Sequence, residues 1–344
     1  MKALVLEDYM SLGYREVPEP ALRGDDDVVV RVRAAAICGS DVHGLDGSTG
    51  RRRPPLIMGH EAAGEVAAVG PGVRGFTVGD RVTFDSTEYC GACWHCRRGE
   101  VNLCDDRRVL GVSCAEYRRD GAFAEYVVVP ERILHRLPEA LGFVEASLTE
   151  PVAVAAHAAA ITPLGLGESA AVVGAGLIGL LLIQVLRTRT AGPIVAFDVD
   201  ASCREAALRL GADAALDPAD PDALPELRRL TGGRGADRSF EAVGATASVA
   251  TAISAVRKGG SVTLIGNASP SVELPLQQVV TRQLSLLGSC AISGEYPVAL
   301  DLMARGKVDA RALVSAVAPL SEGAAWFDRL YRREPGLLKV VLEP

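Results

Sequence analysis

Four cysteines, Cys90, Cys93, Cys96 and Cys104, follow a C-x2-C-x2-C-x7-C pattern. Four soft thiolates this close together suit a tetrahedral zinc with no open coordination position, which is a structural site. Two other chemistries compete for the pattern. C-x2-C-x2-C also occurs in iron–sulfur proteins, which often carry a proline after the last cysteine; Asp105 follows here. Disulfides need an oxidising compartment. The amino terminus, Met1-Lys2-Ala3-Leu4-Val5-Leu6-Glu7-Asp8, does not read as an export signal, since its short apolar run ends in two acids. His95 lies inside the lobe, but four thiolates complete the set and leave it as an expected surface residue.

A second set is more reactive. Cys38 in Cys38-Gly39-Ser40-Asp41-Val42-His43, with His60 and Glu61 in Gly59-His60-Glu61, offers thiolate, imidazole and carboxylate. With a fourth position kept for water or substrate, that is the makeup of a catalytic zinc. A lone cysteine and a lone histidine at that separation would otherwise be read as core residues.

The third feature binds rather than reacts. Val173-Gly174-Ala175-Gly176-Leu177-Ile178-Gly179 is G-x-G-x-x-G directly after an apolar run and at the start of a helical one. Gly174 makes the tight turn, Gly176 admits a pyrophosphate to the backbone, and Gly179 lets helix and strand pack closely. The phosphates then lie against the N–H groups that open the helix at Leu177 and Ile178. Asp198 ends the next strand about twenty residues on, where a carboxylate bonds the ribose hydroxyls and repels a 2′-phosphate, so NAD is expected over NADP. Arg204 follows and is read as a solvated helix residue.

These groups need a scaffold. At roughly 100–200 residues per domain, 344 residues imply two domains. Hydrophobic residues at 49% and charged residues at 23% exclude wholesale disorder. A net charge of −7 and a pI near 5.4, with no dense basic block, make nucleic acid or an anionic membrane an improbable partner. The uncharged stretch 169–186 is too glycine-rich and too mixed in period for a membrane span. The expectation is a soluble, cytoplasmic protein.

Up to about residue 147 the chain reads as short strands and many turns, with strands at 3–6, 28–32 and 81–84, an irregular β-rich domain. From there strands and helices alternate. Strands are expected at 170–173, 194–197, 238–242 and 261–265. Helices are expected at 177–186, 202–210 (Ser202 as cap, Gly211 as stop) and 248–256. Alternation of this kind implies a doubly wound parallel sheet. A helix at 297–304 and a strand at 338–342 close the chain.

Here the sequence resembles the zinc-dependent medium-chain dehydrogenase/reductase family, in particular its sorbitol (polyol) dehydrogenase branch. The resemblance runs over nearly the whole chain. It rests on Cys-Gly-Ser-Asp-Val-His at 38–43, Gly-His-Glu at 59–61, Val-Gly-Asp-Arg-Val at 78–82 and the cysteine lobe. Asp120-Gly121-Ala122-Phe123-Ala124-Glu125-Tyr126, Glu150-Pro151, the glycine fingerprint and Lys258-Gly259-Gly260 complete it.

The resemblance implies an α/β protein: a GroES-like catalytic domain over 1–150 and 291–344, carrying the zinc lobe at 90–104, around a Rossmann NAD-binding domain over 151–290. It implies two zinc ions per subunit. Cys38, His60 and Glu61 surround the catalytic one and Glu150 lies beside it, either binding directly or holding its water. Ser40 and His43 would relay the alcohol proton to solvent, against the plainer reading of His43 as an exposed loop histidine. Val243, Gly266, Asn267 and Ala268 would wall the nicotinamide and ribose. The implied activity is NAD-dependent oxidation of a secondary alcohol on a polyol, sugar acid or other sugar-derived small molecule, by a homodimer or homotetramer.

L-Threonine, a 2,3-butanediol-type diol and a non-catalytic zinc- and nucleotide-binding role are the alternatives. Departures from the family bear on substrate: Cys290-Ala291 stands where an Arg-Tyr pair is common, and Ser86-Thr87 where threonine dehydrogenases carry a histidine. Arg51-Arg52-Arg53 could together hold a substrate anion, although a charge run is more often a solvated face. His157 is expected as a packed helix residue, and Cys114, Cys203 and Cys290 as small buried hydrophobes.

Overall fold

The computed structural model describes residues 1–114 and 117–344, with only the backbone described at Cys114 and Tyr117. It divides into two compact units, Met1–Glu150 with Ile292–Arg305 and Asp309–Pro344, and Pro151–Ala291 with Gly306–Val308.

The first unit is built on β-branched strands. Strand β1 (Lys2–Asp8) hairpins onto β2 (Ser11–Glu16), and β3 (Asp27–Ala36) runs through the middle of the unit. After helix α1 (Gly39–Gly44) come β4 (Leu56–Ile57), β5 (Glu61–Val69) and β6 (Arg81–Phe84). Short pairs follow, β7 (Thr87–Glu88) with β8 (Arg108–Val109) and β9 (Val112–Cys114) with β10 (Tyr117–Arg119). Strands β11 (Tyr126–Pro130) and β12 (Leu134–Arg136) lead to α2 (Phe143–Ala146) and to α3 (Thr149–Ile161), in whose first turn the unit ends at Glu150.

In β3 the valines Val28, Val30 and Val32 alternate inward and join Leu4, Leu6, Met58, Phe84 and Phe123 in one core. Each fully buried Val or Leu there stabilises the unit by roughly 1.5–3 kcal/mol.

The second unit alternates as the periodicity predicts. Strand β13 (Ala170–Val173), helix α4 (Leu177–Arg187) and strand β14 (Ile194–Phe197) are followed by α5 (Ala201–Arg209), β15 (Ala214–Leu216) and α6 (Ala223–Leu230). Then come β16 (Ala236–Glu241), α7 (Thr246–Ala255), β17 (Val256–Leu264), α8 (Leu276–Thr281) and β18 (Ser285–Gly288). All six strands are parallel, in the order β15-β14-β13-β16-β17-β18. The order reverses between β13 and β16, where such sheets bind ligands.

Several elements differ from expectation: β16 and β17 begin at Ala236 and Val256, ahead of 238 and 261, and β15, α6, α8 and β18 have no expected counterpart. Helix α5 is capped by Asp200, whose Oδ1 accepts the Ser202 N–H at 2.7 Å, so Ser202 lies inside the first turn rather than capping it. Helix α7 begins at Thr246 rather than Ser248, whose hydroxyl instead reaches back to accept the Ala245 N–H at 3.2 Å.

The tail rejoins the first unit. Helix α9 (Tyr296–Ala304), strand β19 (Val314–Pro319), helix α10 (Gly323–Tyr331) and strand β20 (Lys339–Glu343) close it. Strand β20 pairs antiparallel with β3, setting Val341 opposite Ala36 in the order β12-β6-β5-β3-β20-β19. Among the described residues no helix is long and apolar enough to cross a membrane.

Candidate functional site

Strand register assembles the first cluster. Ala36, the last residue of β3, lies opposite Glu61, the first of β5. Cys38 and His60 therefore overhang the same sheet end. Cys38 is extended, and its carbonyl accepts the N–H groups of Asp41 and Val42 as α1 begins. One ligand atom each from Cys38, His60 and Glu61 lies within 4.8 Å of the others. Glu61 is buried, and its Oε1 has no hydrogen-bond partner among the described residues. Thiolate, imidazole and a buried carboxylate with Oε1 unpartnered fit a divalent zinc with a position to spare.

Glu150, half-buried at the start of α3, stands outside that 4.8 Å group. Burial pushes its carboxyl up to about 7, opposed by His60 and reinforced by Glu61 and Asp85.

Three neighbours of this cluster escaped the sequence reading. Lys339 at the start of β20 is fully buried and places Nζ 2.5 Å from Glu61 Oε2. Asp41 is also fully buried, with Oδ1 3.4 Å from His60 Nδ1. Burial alone would raise the Asp41 pKa, but His60 and Arg52 outweigh it and hold the carboxyl well below its usual range. Arg52 donates to Asp41 Oδ1 from Nε at 3.2 Å and from Nη2 at 2.8 Å. A lone lysine among the apolar residues of 338–342 was the available signal for the first. The second was hidden in a motif, and the third in a run of like charges.

Arg52 also corrects the picture of an arginine loop. It is buried and ion-paired, whereas Arg51 and Arg53 are exposed. Three guanidiniums do not converge on one anion.

Ser40 and His43 are exposed residues of α1, and Ser40 Oγ lies 3.3 Å from Cys38 Sγ.

In the lobe, Cys90, Cys93, Cys96 and Cys104 bring their Sγ atoms within 4.8 Å of one another, all four as free thiols. Backbone N–H groups aim at the sulfurs, Cys93 N–H to Cys90 at 3.3 Å and Cys96 N–H to Cys93 at 3.4 Å. The N–H groups of Ala92 and Cys93 pull the Cys90 thiol down to about 7. Such a set fits a closed tetrahedral zinc. His95 turns away, its Nδ1 3.0 Å from Glu100 Oε2.

At the glycine turn of the second unit, Gly174 has φ +92°. A Cβ on Gly179 would lie 1.8 Å from the Gly174 carbonyl oxygen, so helix and turn touch there. Gly176 caps α4 without a side-chain bond and has open space where a Cβ would point. Leu177 and Ile178 open the helix beside it. An uncapped helix start with an open cradle fits a diphosphate.

Asp198 follows β14, its Oδ2 accepting the Ala175 N–H at 2.7 Å and its Oδ1 the Asp200 N–H at 2.9 Å. Arg204 is not free in solvent. It donates to the carbonyls of Asp198 and Val199 and reaches Asp217 Oδ2 at 3.3 Å.

Beyond β16, buried Glu241 accepts the N–H groups of Val243 and Gly244 on one oxygen. Its carbonyl accepts those of Ile265 and Gly266, and Ala268 N–H bonds the Val243 carbonyl. Val243, Gly266 and the exposed Asn267 thus share one rim beside the glycine turn, with Val243 Cγ2 2.5 Å from where a Gly174 Cβ would sit. Glu241 is the organiser here, and only its place in Phe240-Glu241-Ala242-Val243-Gly244 hinted at it.

Of the remaining residues, His157 is buried on α3 as expected. Cys203 and Cys290 are partly exposed rather than buried, since Cys203 lies in the first turn of α5 and Cys290 in a loop after β18. The Cys114 side chain lies outside the described residues.

Comparison with known proteins bears on both units. Residues 24–139 match the alcohol dehydrogenase GroES-like domain, and residues 178–305 the zinc-binding dehydrogenase domain. Sorbitol dehydrogenase of Bacillus subtilis (strain 168) is 34% identical, over 100% of this chain and 97% of its own. D-xylulose reductase A of Aspergillus oryzae is 34% identical over 94% of this chain and 92% of its own. Among solved structures, alcohol dehydrogenase TADH from Thermus sp. ATN1 superposes with a TM-score of 0.93 at 32% identity, covering 100% of this chain and 99% of that one. Related along its whole length in sequence and in backbone, the chain belongs to the zinc-dependent medium-chain dehydrogenases, in their sorbitol (polyol) dehydrogenase-like branch.

Proposed function

We propose that the protein oxidises a secondary alcohol of a polyol, sugar acid or other sugar-derived small molecule, with NAD as hydride acceptor. The observation that carries this is the Cys38, His60 and Glu61 donor set within 4.8 Å, in a chain 34% identical to a sorbitol dehydrogenase over its full length. Cys38, His60 and Glu61 would hold a catalytic zinc with Glu150 beside it, and the four lobe cysteines a structural one. When bound, the catalytic zinc supplies Lewis acidity that lowers the pKa of an alcohol oxygen, and NAD supplies the hydride acceptor.

The residues of the chain do the rest. Ser40, next to Cys38 at 3.3 Å, would accept the alcohol proton while handing its own on through the cofactor ribose, and the exposed His43 would deliver that proton to water. Glu150, half-buried at the start of α3, would either join the metal donors or hold the water beside them. Gly174, Gly176, Leu177, Ile178 and Gly179 receive the diphosphate, and Asp198 the ribose hydroxyls. Preference for NAD over NADP rests on two features: the Asp198 carboxylate, and an Arg204 already committed to two carbonyls and Asp217. Free thiols at the described cysteines agree with a reducing cytoplasm. A homodimer or homotetramer belongs to the same proposal, supported by exposed Leu276 and Val280 on α8, just before the edge strand β18.

The test is NADH formation by zinc-loaded protein against polyols, sugar acids, sugar phosphates, threonine and vicinal diols. Turnover on one sugar-derived alcohol, lost when zinc is stripped, is expected. Turnover on threonine or a simple diol alone would replace the substrate class. Silence across the panel with zinc and NAD bound would favour a binding protein.

A further inference from the structure

We propose that Arg52 is a positioning residue for the Cys38, His60 and Glu61 metal set, acting through Asp41 and Ser40. The proposal rests on the reading of that set as a zinc site. A ligating histidine is aimed by the group that its other ring nitrogen meets, and removing such a partner typically costs about 10–100-fold in metal affinity. Behind His60 the group placed to play that part is Asp41, whose Oδ1 lies 3.4 Å from Nδ1, an ion-pair contact in which the hydrogen bond itself is not formed.

Among the described residues the Asp41 side chain meets only His60 and Arg52. It is fully buried, and Oδ2 has no hydrogen-bond partner among the described residues. What holds the carboxylate is the Arg52 fork, with Nε at 3.2 Å and Nη2 at 2.8 Å from the same Oδ1. The Nη2 group also donates to Ser40 Oγ at 3.4 Å, and Ser40 Oγ lies 3.3 Å from Cys38 Sγ. One guanidinium therefore touches the groups behind two of the three metal donors.

The fork is itself held in place. Nη1 donates to the Arg51 carbonyl at 3.3 Å. The side-chain stem crosses α1 at Gly44, where a Cβ would lie 2.3 Å from Arg52 Cγ. A lysine would keep the charge but present a single ammonium in place of the planar fork.

Zinc affinity of the full chain, measured by competition with a chromogenic chelator, tests this. Wild type is expected to bind two zinc ions, with the four-cysteine site identified by its loss in Cys96→Ser. Arg52→Met is expected to weaken the other site by about 10–100-fold and to leave the four-cysteine site unchanged. Arg52→Lys should fall between. Gly44→Ala disturbs the arginine stem without removing a polar group and should move the same site in the same direction. It also decides the matter if Arg52→Met does not fold.

Wild-type affinity in both Arg52→Met and Gly44→Ala, even with a lowered unfolding midpoint, would reduce Arg52 to a counter-ion of Asp41 and overturn the proposal. A wild type that binds a single zinc, lost in Cys96→Ser, would instead overturn the reading of the Cys38, His60 and Glu61 set.

Discussion

Lys339 and Glu61 form an ion pair of 2.5 Å with both side chains 1% exposed, and Lys339 Nζ also donates to the Ile37 carbonyl at 2.9 Å. The pairing follows from Ala36, which lies opposite Glu61 on one side and Val341 on the other. Stripping the cation leaves a buried carboxylate without its counter-charge. Lys339→Met is expected to cost about 3–5 kcal/mol of stability. Urea unfolding of the metal-free protein measures it, and a loss under about 1 kcal/mol would mean the pair is not ionised.

Asp198 is the residue on which the proposed preference for NAD rests. Its replacement by alanine removes an acceptor for the ribose and loosens the Ala175 turn it holds. NADH affinity is expected to fall by about 10- to 100-fold, the range for hydrogen bonds to charged groups. NADPH affinity should stay poor, because Arg204 remains tied to backbone carbonyls. Fluorescence titration with both nucleotides decides the point, and equal affinity for the two in the unmutated protein would defeat it.

His43→Ala tests the proposed proton relay. The side chain is exposed and touches no proposed metal donor, so zinc content should be unchanged. The kcat at neutral pH is expected to drop by about 100-fold, the lower end for positioned proton transfer. Added imidazole should restore part of it. A kcat within twofold of wild type would place the proton path elsewhere.

His135 supplies a pH dependence of stability. Burial pushes its pKa down to about 4, with the ring stacked on Tyr296 at 4.8 Å. In the unfolded chain it titrates near 6.5. Between those values the unfolded state binds a proton that the folded state does not, so stability rises with pH. This contribution is complete above about pH 6.5 and is lost as pH falls toward 4. His135→Gln should therefore flatten the stability curve between pH 4.5 and 7, and an unchanged slope in urea unfolding would count against it.

In the second unit the elements from β13 to α5 were legible to within about a residue, whereas β15, α6, α8 and β18 had no expected counterpart. Strands β13 and β14 fall where their apolar runs lie, because a parallel strand buried on both faces is written as a continuous run. The candidate metal donors were legible for different reasons, the four lobe cysteines by their close spacing and Cys38, His60 and Glu61 by the motifs they lie in. What stayed hidden depends on register between distant segments. Lys339 meets Glu61 only because β20 and β5 flank the same end of β3. Arg52 sits between two arginines that are exposed, and nothing local marks the middle one as buried. The cap of α5 was misplaced by two residues for a simpler reason: Asp200 and Ser202 are both good caps, and the geometry selects the one whose oxygen reaches the second N–H of the helix.

The late return of β20 to β3 sets an order of events during synthesis. Lys339 bonds Ile37 across 302 residues, a stretch a ribosome needs roughly 15–60 s to add at typical elongation rates. Throughout that interval Glu61 has no counter-charge and the central sheet lacks its closing strand. The four-cysteine lobe, by contrast, is complete in sequence as soon as Cys104 has emerged, with β13 not yet made. Of the two candidate metal clusters, the lobe thus has all its donors and its local fold early, whereas the Cys38, His60 and Glu61 set, already aligned by β3 and β5, gains the Lys339 counter-charge only once the last strand has docked.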